Sequence, residues 1–235
     1  MSLPYLVFDM DGVLAEVSES YREAVVQTVR HFTGKTVGRE RIQEYKNRGG
    51  FNNDWLLAQQ LCRDVGVEVP YDTVVEHFCA IFFGPRGDDG LIAREVWLPR
   101  PGLLNTLAAR FSLAIFTGRL RREAAITLRR YAPDIRFSPI IAAEDVRDGK
   151  PAPEGLVLIR DRTRCQKMIY VGDTVDDARC SRAAGVPFIG IAAPSNPLHA
   201  ELAALLGAEG AVAVLDDVNQ IEGALAQCAA PQSNE

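Results

Sequence analysis

The chain has 235 residues, 47% hydrophobic and 24% charged, enough to bury a full core as one large or two modest domains. Acidic residues (31) outnumber Lys and Arg (26), leaving a net charge of −5 with no basic block, which argues against a nucleic-acid backbone as the main partner. Five cysteines without a C-x-x-C pair and three scattered histidines give a zinc site no support, no apolar run approaches the length of a membrane span, and the odd cysteine count suits a reducing, cytoplasmic setting.

In chain order, Tyr5-Leu6-Val7-Phe8 is an apolar run ended by Asp9 and predicts a buried strand. Helices follow without a convincing strand from Ser18 to Phe83. Over Glu19–Phe32, Tyr21, Ala24, Val25, Thr28, Val29 and Phe32 share one stripe, and Gly34 stops it. Arg39–Lys46 predicts a shorter helix. Asn53–Val65 opens on an Asn/Asp cap, and Asp72–Phe83 is apolar along Val75, Phe78, Cys79 and Phe82. Residues 84–90 form a loop whose charges Arg86, Asp88 and Asp89 are expected to be solvated, and residues 97–102 read as a return linker. Strands are then expected at Ser112–Phe116, Pro139–Ala142, Met168–Val171, Pro187–Ile191 and, more weakly, Ala211–Leu215. Between them lie helical patterns at Gly102–Arg110, Arg121–Arg130, Asp176–Ala184 and His199–Leu206. This alternation predicts an α/β fold: a three-layer, Rossmann-like parallel-sheet core with an inserted all-helical cap. The expected division is residues 1–15 and 98–228 for the core, 16–97 for the cap and 229–235 for a polar tail.

Three chemistry-bearing segments close apolar runs: Asp9-Met10-Asp11-Gly12, Thr117-Gly118 and Gly172-Asp173-Thr174-Val175-Asp176-Asp177. A fourth, Gly149-Lys150-Pro151, lies between the last two. Alone, each reads as a turn, a cap or a loop. Together, in an open parallel sheet, they gather at the carboxyl edge where ligands bind. Asp9 can attack a phosphoryl group as a nucleophile, and Asp11, two residues on, can protonate the leaving oxygen and later deprotonate water. Asp173 and Asp177 add the oxygen ligands that Mg2+ prefers, while Thr117 and Lys150 can hold the transferring group.

These motifs, with Ala183-Ala184-Gly185 after the last, resemble the haloacid dehalogenase superfamily, in the helical-cap branch that includes phosphoglycolate phosphatase and β-phosphoglucomutase. The resemblance runs from about Leu3 to Val218. It implies catalytic roles for Asp9, Asp11, Thr117 and Lys150, and a metal site of Asp9, Asp11 (through its backbone carbonyl), Asp173 and Asp177, the last in a direct or a supporting role. Asp176 reads as a solvated acid or a cap. The second acid, Asp11, argues for phosphoryl transfer over dehalogenation. The expected activity is a Mg-dependent phosphatase acting on a small phosphorylated metabolite, with a phosphosugar mutase as the alternative. Glu16 and Val17 stand where relatives carry Asp and Ser or Thr, and Tyr21 stands where the mutase has a cap histidine, so both departures weaken the mutase reading.

Specificity is expected in the cap loop from Tyr45 to Trp55, where Lys46 or Arg48 can reach an anionic substrate group and Gly49-Gly50 admit it to backbone amides. Gly118 and Arg119 face the same cleft by position, so Arg119 is a further candidate for touching substrate. Trp55 and Trp97 are expected to serve packing or the hinge, and His77 to lie on a cap helix without a catalytic role.

Overall fold

The computed structural model describes residues 3–229, without the side chains of 227–229; residues 1, 2 and 230–235, which include most of the expected polar tail, lie outside the described residues. Strand β1 (Tyr5–Phe8) is the pivot of a parallel sheet. Its other strands are β4 (Ser112–Phe116), β5 (Ile140–Ile141), β6 (Met168–Gly172), β7 (Phe188–Ile191) and β8 (Ala213–Leu215). The order is β5-β4-β1-β6-β7-β8, so the chain leaves β1 in both directions and creates a switch point at its carboxyl end. Tyr5 pairs with Ser112 on one side and Met168 on the other.

Both faces of the sheet are covered. Leu6 and Phe8 join an apolar cluster with Leu113, Ile115 and Val171, whereas Val7 joins Ala114, Phe116 and Tyr170 on the opposite face. This is the period-two alternation of a strand, hidden in the sequence because both faces are apolar. Core helices α5 (Leu103–Ala108), α6 (Arg121–Tyr131), α7 (Glu154–Thr163), α8 (Val175–Ala184), α9 (His199–Ala208) and α10 (Ile221–Ala229) complete the layers.

The cap is built from α1 (Tyr21–Thr33), α2 (Arg39–Arg48), α3 (Asp54–Asp64) and α4 (Tyr71–Phe83). The stripe expected on α1 is buried at Tyr21, Ala24, Val25, Thr28 and Val29, with Phe32 packed at the margin. Asn53 caps α3, its side chain accepting the N–H groups of Trp55 and Leu56 at 2.9 and 3.1 Å. Three parts of the chain differ from expectation, the last being α10, over residues where no helix was expected. Ala15–Glu16 (β2) and Val96–Trp97 (β3) form a two-residue antiparallel ribbon, Ala15 against Trp97, that joins core and cap. Trp97 stacks on Tyr131 there. The second is α7, whose apolar residues are consecutive (Leu156 to Ile159) rather than spaced as a helical stripe.

Candidate active site

Asp9 follows β1, Thr117 follows β4 and Asp173 follows β6, so three strand ends deliver three polar side chains to one edge. The Asp9 N–H donates to the Val171 carbonyl at 2.8 Å, extending the ladder one residue beyond β1. The chain then turns sharply: Leu14 N–H reaches the Met10 carbonyl at 2.8 Å, and Gly12 adopts φ +69°. Gly12 is required twice over, because a Cβ there would also collide with the Asp173 carboxylate.

Asp9, Asp173 and Asp177 each offer an oxygen within 4.8 Å of the others. Lys150 Nζ lies between two of them, 2.8 Å from Asp9 Oδ1 and 2.7 Å from Asp177 Oδ1. It also sits over the rings of Phe116 and Tyr170, 5.0 and 5.5 Å from their centroids. Burial works against the ammonium, but Asp177 and Asp9 outweigh it and raise its pKa.

The three carboxylates are not equivalent. Asp177 Oδ1 accepts the Tyr170 hydroxyl at 2.6 Å besides Lys150, and Oδ2 accepts the Thr174 N–H and hydroxyl at 3.0 and 2.6 Å. Burial disfavours its charge, but Lys150 and these donors prevail and hold its pKa below the usual carboxylate range. Thr174 and Asp177 thereby form the capping box of α8, with Asp177 N–H returned to Thr174 Oγ1 at 3.1 Å. Asp173 has the opposite surroundings: its Oδ1 is buried and takes no hydrogen bond. Burial, reinforced by Asp177 and Asp9, pushes its pKa well up. Burial also pushes Asp9 up to about 7, opposed by Lys150 and reinforced by Asp177 and Asp11. An orphaned carboxylate oxygen beside a second raised carboxyl fits a hard divalent cation, which would supply the missing charge.

Asp11 lies beside this cluster but is held differently. Arg119 Nε and Nη2 both lie 2.6 Å from Asp11 Oδ1. The Arg119 side chain is 0% exposed, and Nη2 continues to Glu95 Oε1 at 2.9 Å while Nη1 donates to Thr127 Oγ1 at 2.7 Å. Its guanidinium covers the Tyr21 ring at 4.9 Å, and the Tyr21 hydroxyl donates to Glu123 at 3.0 Å. Arg119 lines the cavity with Asp9 and Asp11, and its charge is already matched by two carboxylates. Thr117 is 1% exposed, with its hydroxyl accepting the Arg119 N–H at 3.2 Å, and Gly118 faces Asn52 of the cap loop.

The cap residues divide. Lys46 lines the cavity with Arg22, Asn52 and Trp55, and its ammonium pairs with Asp54 at 2.8 Å. Arg48 is exposed, its guanidinium over the Tyr45 ring at 5.2 Å, so it is turned away from the cavity it was expected to serve. Gly49 and Gly50, both at φ +82°, turn the loop onto the core, and Gly50 lines a cavity with Thr117, Gly118 and Lys150. The Gly50 N–H donates to both oxygens of Asp176 at 2.9 Å. Asp176, expected as a solvated acid or a cap, stands in the first turn of α8 but is 2% exposed and serves as a docking point for the cap loop. His77 stacks on His31 in the cap. Glu95 and Glu123 carry no motif, and only the fold reveals their partners and that of Asp176.

A family model for haloacid dehalogenase-like hydrolases matches residues 4–185. Among curated relatives, an imidazoleglycerol-phosphate dehydratase from Phytophthora nicotianae is 36% identical over 199 residues, covering 81% of this chain. The match occupies 44% of that longer protein, so this chain spans less than half of it. A phosphoglycolate phosphatase from Salmonella typhimurium is 26% identical over 79% of this chain and 80% of its own length. A haloacid dehalogenase-like protein of unknown function from Agrobacterium tumefaciens shares the fold at a TM-score of 0.73 and 19% identity, covering 97% of this chain and all of its own. With the strand-end carboxylates, the inserted cap and this match over most of its length, the chain belongs to the haloacid dehalogenase-like hydrolases.

Proposed function

We propose that the protein is a magnesium-dependent phosphatase that hydrolyses a small-molecule phosphate monoester through a phosphoryl group carried on Asp9. The observation that carries this reading is Lys150 bridging Asp9 and Asp177 beside the unpartnered oxygen of Asp173. Asp9 attacks phosphorus and the ester P–O bond breaks, with Asp11 giving its proton to the departing oxygen. Asp11 then takes a proton from water, whose oxygen attacks the same phosphorus, releasing phosphate and restoring Asp9. Lys150 and Thr117 hold the equatorial oxygens, and the low-dielectric setting makes that hold count. Asp9, the Asp11 backbone carbonyl and Asp173 would hold Mg2+, with Asp177 supporting them through Lys150 and Thr174. Bound there, the ion supplies positive charge that offsets repulsion between carboxylates and phosphate.

We take residues 1–15 and 98–228 as the catalytic core and 16–97 as the cap, a division supported by the ribbon of β2 and β3. Tyr21 supports hydrolysis over mutase chemistry, since its hydroxyl is engaged by Glu123 and offers no base at that position. The described free cysteines, Cys62, Cys79, Cys165 and Cys180, suit a reducing cytoplasm. Lys46 is the cap residue best set to meet the substrate's distal end.

The test is release of phosphate from p-nitrophenyl phosphate with and without magnesium, by the wild type and by Asp9→Asn. The variant should lose turnover. A panel including phosphoglycolate and imidazole-bearing alcohol phosphates, chosen from the relatives' names, then ranks substrates by kcat/KM. No magnesium-dependent release from any ester overturns the reading.

A further inference from the structure

We propose that Arg119 is the positioning residue for Asp11, and that Glu95, at the end of the cap just before β3, fixes Arg119 in that task. The inference rests on Asp11 being the proton donor and acceptor of the proposed phosphatase.

A short aspartyl arm on a tight turn has rotamer freedom that a proton-transfer step cannot tolerate, since the acid must stand within hydrogen-bond reach of the leaving oxygen. Arg119 removes that freedom. Nε and Nη2 converge on Oδ1 alone, both at 2.6 Å. Among the described residues no hydrogen bond engages Asp11 Oδ2, so one oxygen is clamped and the other is left to carry the proton.

The clamp is itself clamped. Glu95 is 3% exposed, and its carboxylate takes Nη2 of Arg119 at 2.9 Å and the Thr127 hydroxyl at 2.6 Å. Thr127 in turn accepts Nη1 at 2.7 Å. The ring of Tyr21, from the first cap helix, closes the remaining face. A planar guanidinium with directional donors in so many fixed contacts has one available orientation. Glu95 immediately precedes β3, half of the ribbon joining cap to core. The proton-transfer group is therefore held by a residue whose own anchor belongs to the hinge, and the cap's attachment reaches the chemistry without touching substrate. A cation reserved for substrate would have no need of two carboxylates, one of them, Glu95, with a fully buried side chain.

Leaving-group chemistry separates this role from a structural one. A basic leaving oxygen needs the acid, whereas p-nitrophenolate departs with little help. Steady-state kcat/KM, which ends at phosphoryl transfer to Asp9, is measured with magnesium for p-nitrophenyl phosphate and for phenyl phosphate. The proteins are wild type, Arg119→Lys, Glu95→Gln and Asp11→Asn. Arg119→Lys and Glu95→Gln should each lose about 100-fold on phenyl phosphate, the lower end of what acid catalysis contributes, and under about 10-fold on p-nitrophenyl phosphate. Retained p-nitrophenyl phosphate turnover also reports that the variant is folded. Equal losses on both esters in Arg119→Lys and Glu95→Gln, with Asp11→Asn still selective, overturn this inference and leave the phosphatase reading intact. Equal losses in Asp11→Asn overturn the acid role of Asp11 and the inference with it. Absence of wild-type turnover overturns the phosphatase reading itself.

Discussion

The carboxylate of Asp176, at the start of α8, accepts the backbone N–H of Gly50 on both oxygens at 2.9 Å, tying the cap loop to the helix that follows Asp173. Two lesser contacts assist: Asn47 donates to Glu201 at 3.0 Å, and Arg179 to the Arg48 carbonyl at 3.2 Å. Asp176→Ala removes the charged acceptor and should weaken loop docking by about 1.5–3 kcal/mol. The Arg48–Gly49 bond, whose Arg48 carbonyl is held by Arg179 in the docked loop, reports it: tryptic cleavage there should accelerate at least about 10-fold over wild type, in step with the opened population. An unchanged cleavage rate would mean the loop is held by other contacts.

Among the described residues, Lys150 is the cation that pairs with both Asp9 and Asp177. Lys150→Met leaves Asp9 and Asp177 buried together, and should cost about 3–5 kcal/mol in a urea titration besides abolishing turnover. Adding Asp177→Asn removes one stranded charge and should recover about 1–3 kcal/mol without restoring activity. Additive losses in the double variant would contradict the ion-pair account.

Asp173 makes a prediction of unusual sign. The buried, unpartnered Oδ1 of its carboxylate destabilises the metal-free protein, so Asp173→Asn should be more stable than wild type without magnesium. Wild type should gain about 2.7 kcal/mol at a magnesium concentration 100-fold above Kd, and the variant should gain little. Thermal melts across a magnesium series measure both, and an equal gain in the two proteins would place the ion elsewhere.

Glu123 supplies a pH dependence away from the cluster of Asp9, Asp173 and Asp177. Burial pushes its pKa from 4.5 up to about 7, against the donors Leu120 and Tyr21. The folded state thus holds a proton that the unfolded chain has released. This contribution is fully present below pH 4.5 and is lost as pH rises through about 7. Glu123→Gln keeps an acceptor for Tyr21 and Leu120 but cannot ionise. Its stability relative to wild type should therefore rise between pH 5 and 8, by up to about 3 kcal/mol. A flat difference across that range would mean that Glu123 ionises without cost.

Much of the core was legible in the sequence because the runs at Tyr5–Phe8, Ser112–Phe116 and Met168–Val171 are apolar on both faces and each ends on a residue unlike the run. The stripe of α1 was equally plain, since one face meets cap helices and the other water. What escaped had identifiable causes. A ribbon of two residues per strand has too little length to display a period. In α7 the consecutive Leu156 to Ile159 imitate a strand, because the helix is half sunk against the sheet. Arg119 was legible as belonging to the cleft but not in its orientation, which depends on Glu95, 24 positions earlier, coming to lie beside it. Asp176 looked like a surface acid because the loop that covers it is more than a hundred residues away in sequence.

The central claim is that Asp9 carries the phosphoryl group, and trapping tests it most directly. Enzyme quenched during turnover with magnesium is treated with borohydride, which reduces an acyl phosphate to an alcohol, and the peptide containing residues 5–22 is sequenced by mass spectrometry. The account predicts conversion of residue 9 to homoserine in wild type, and no such product in Asp9→Asn. Steady turnover with the reduced residue at another position, or with none reduced in repeated quenches, would contradict it.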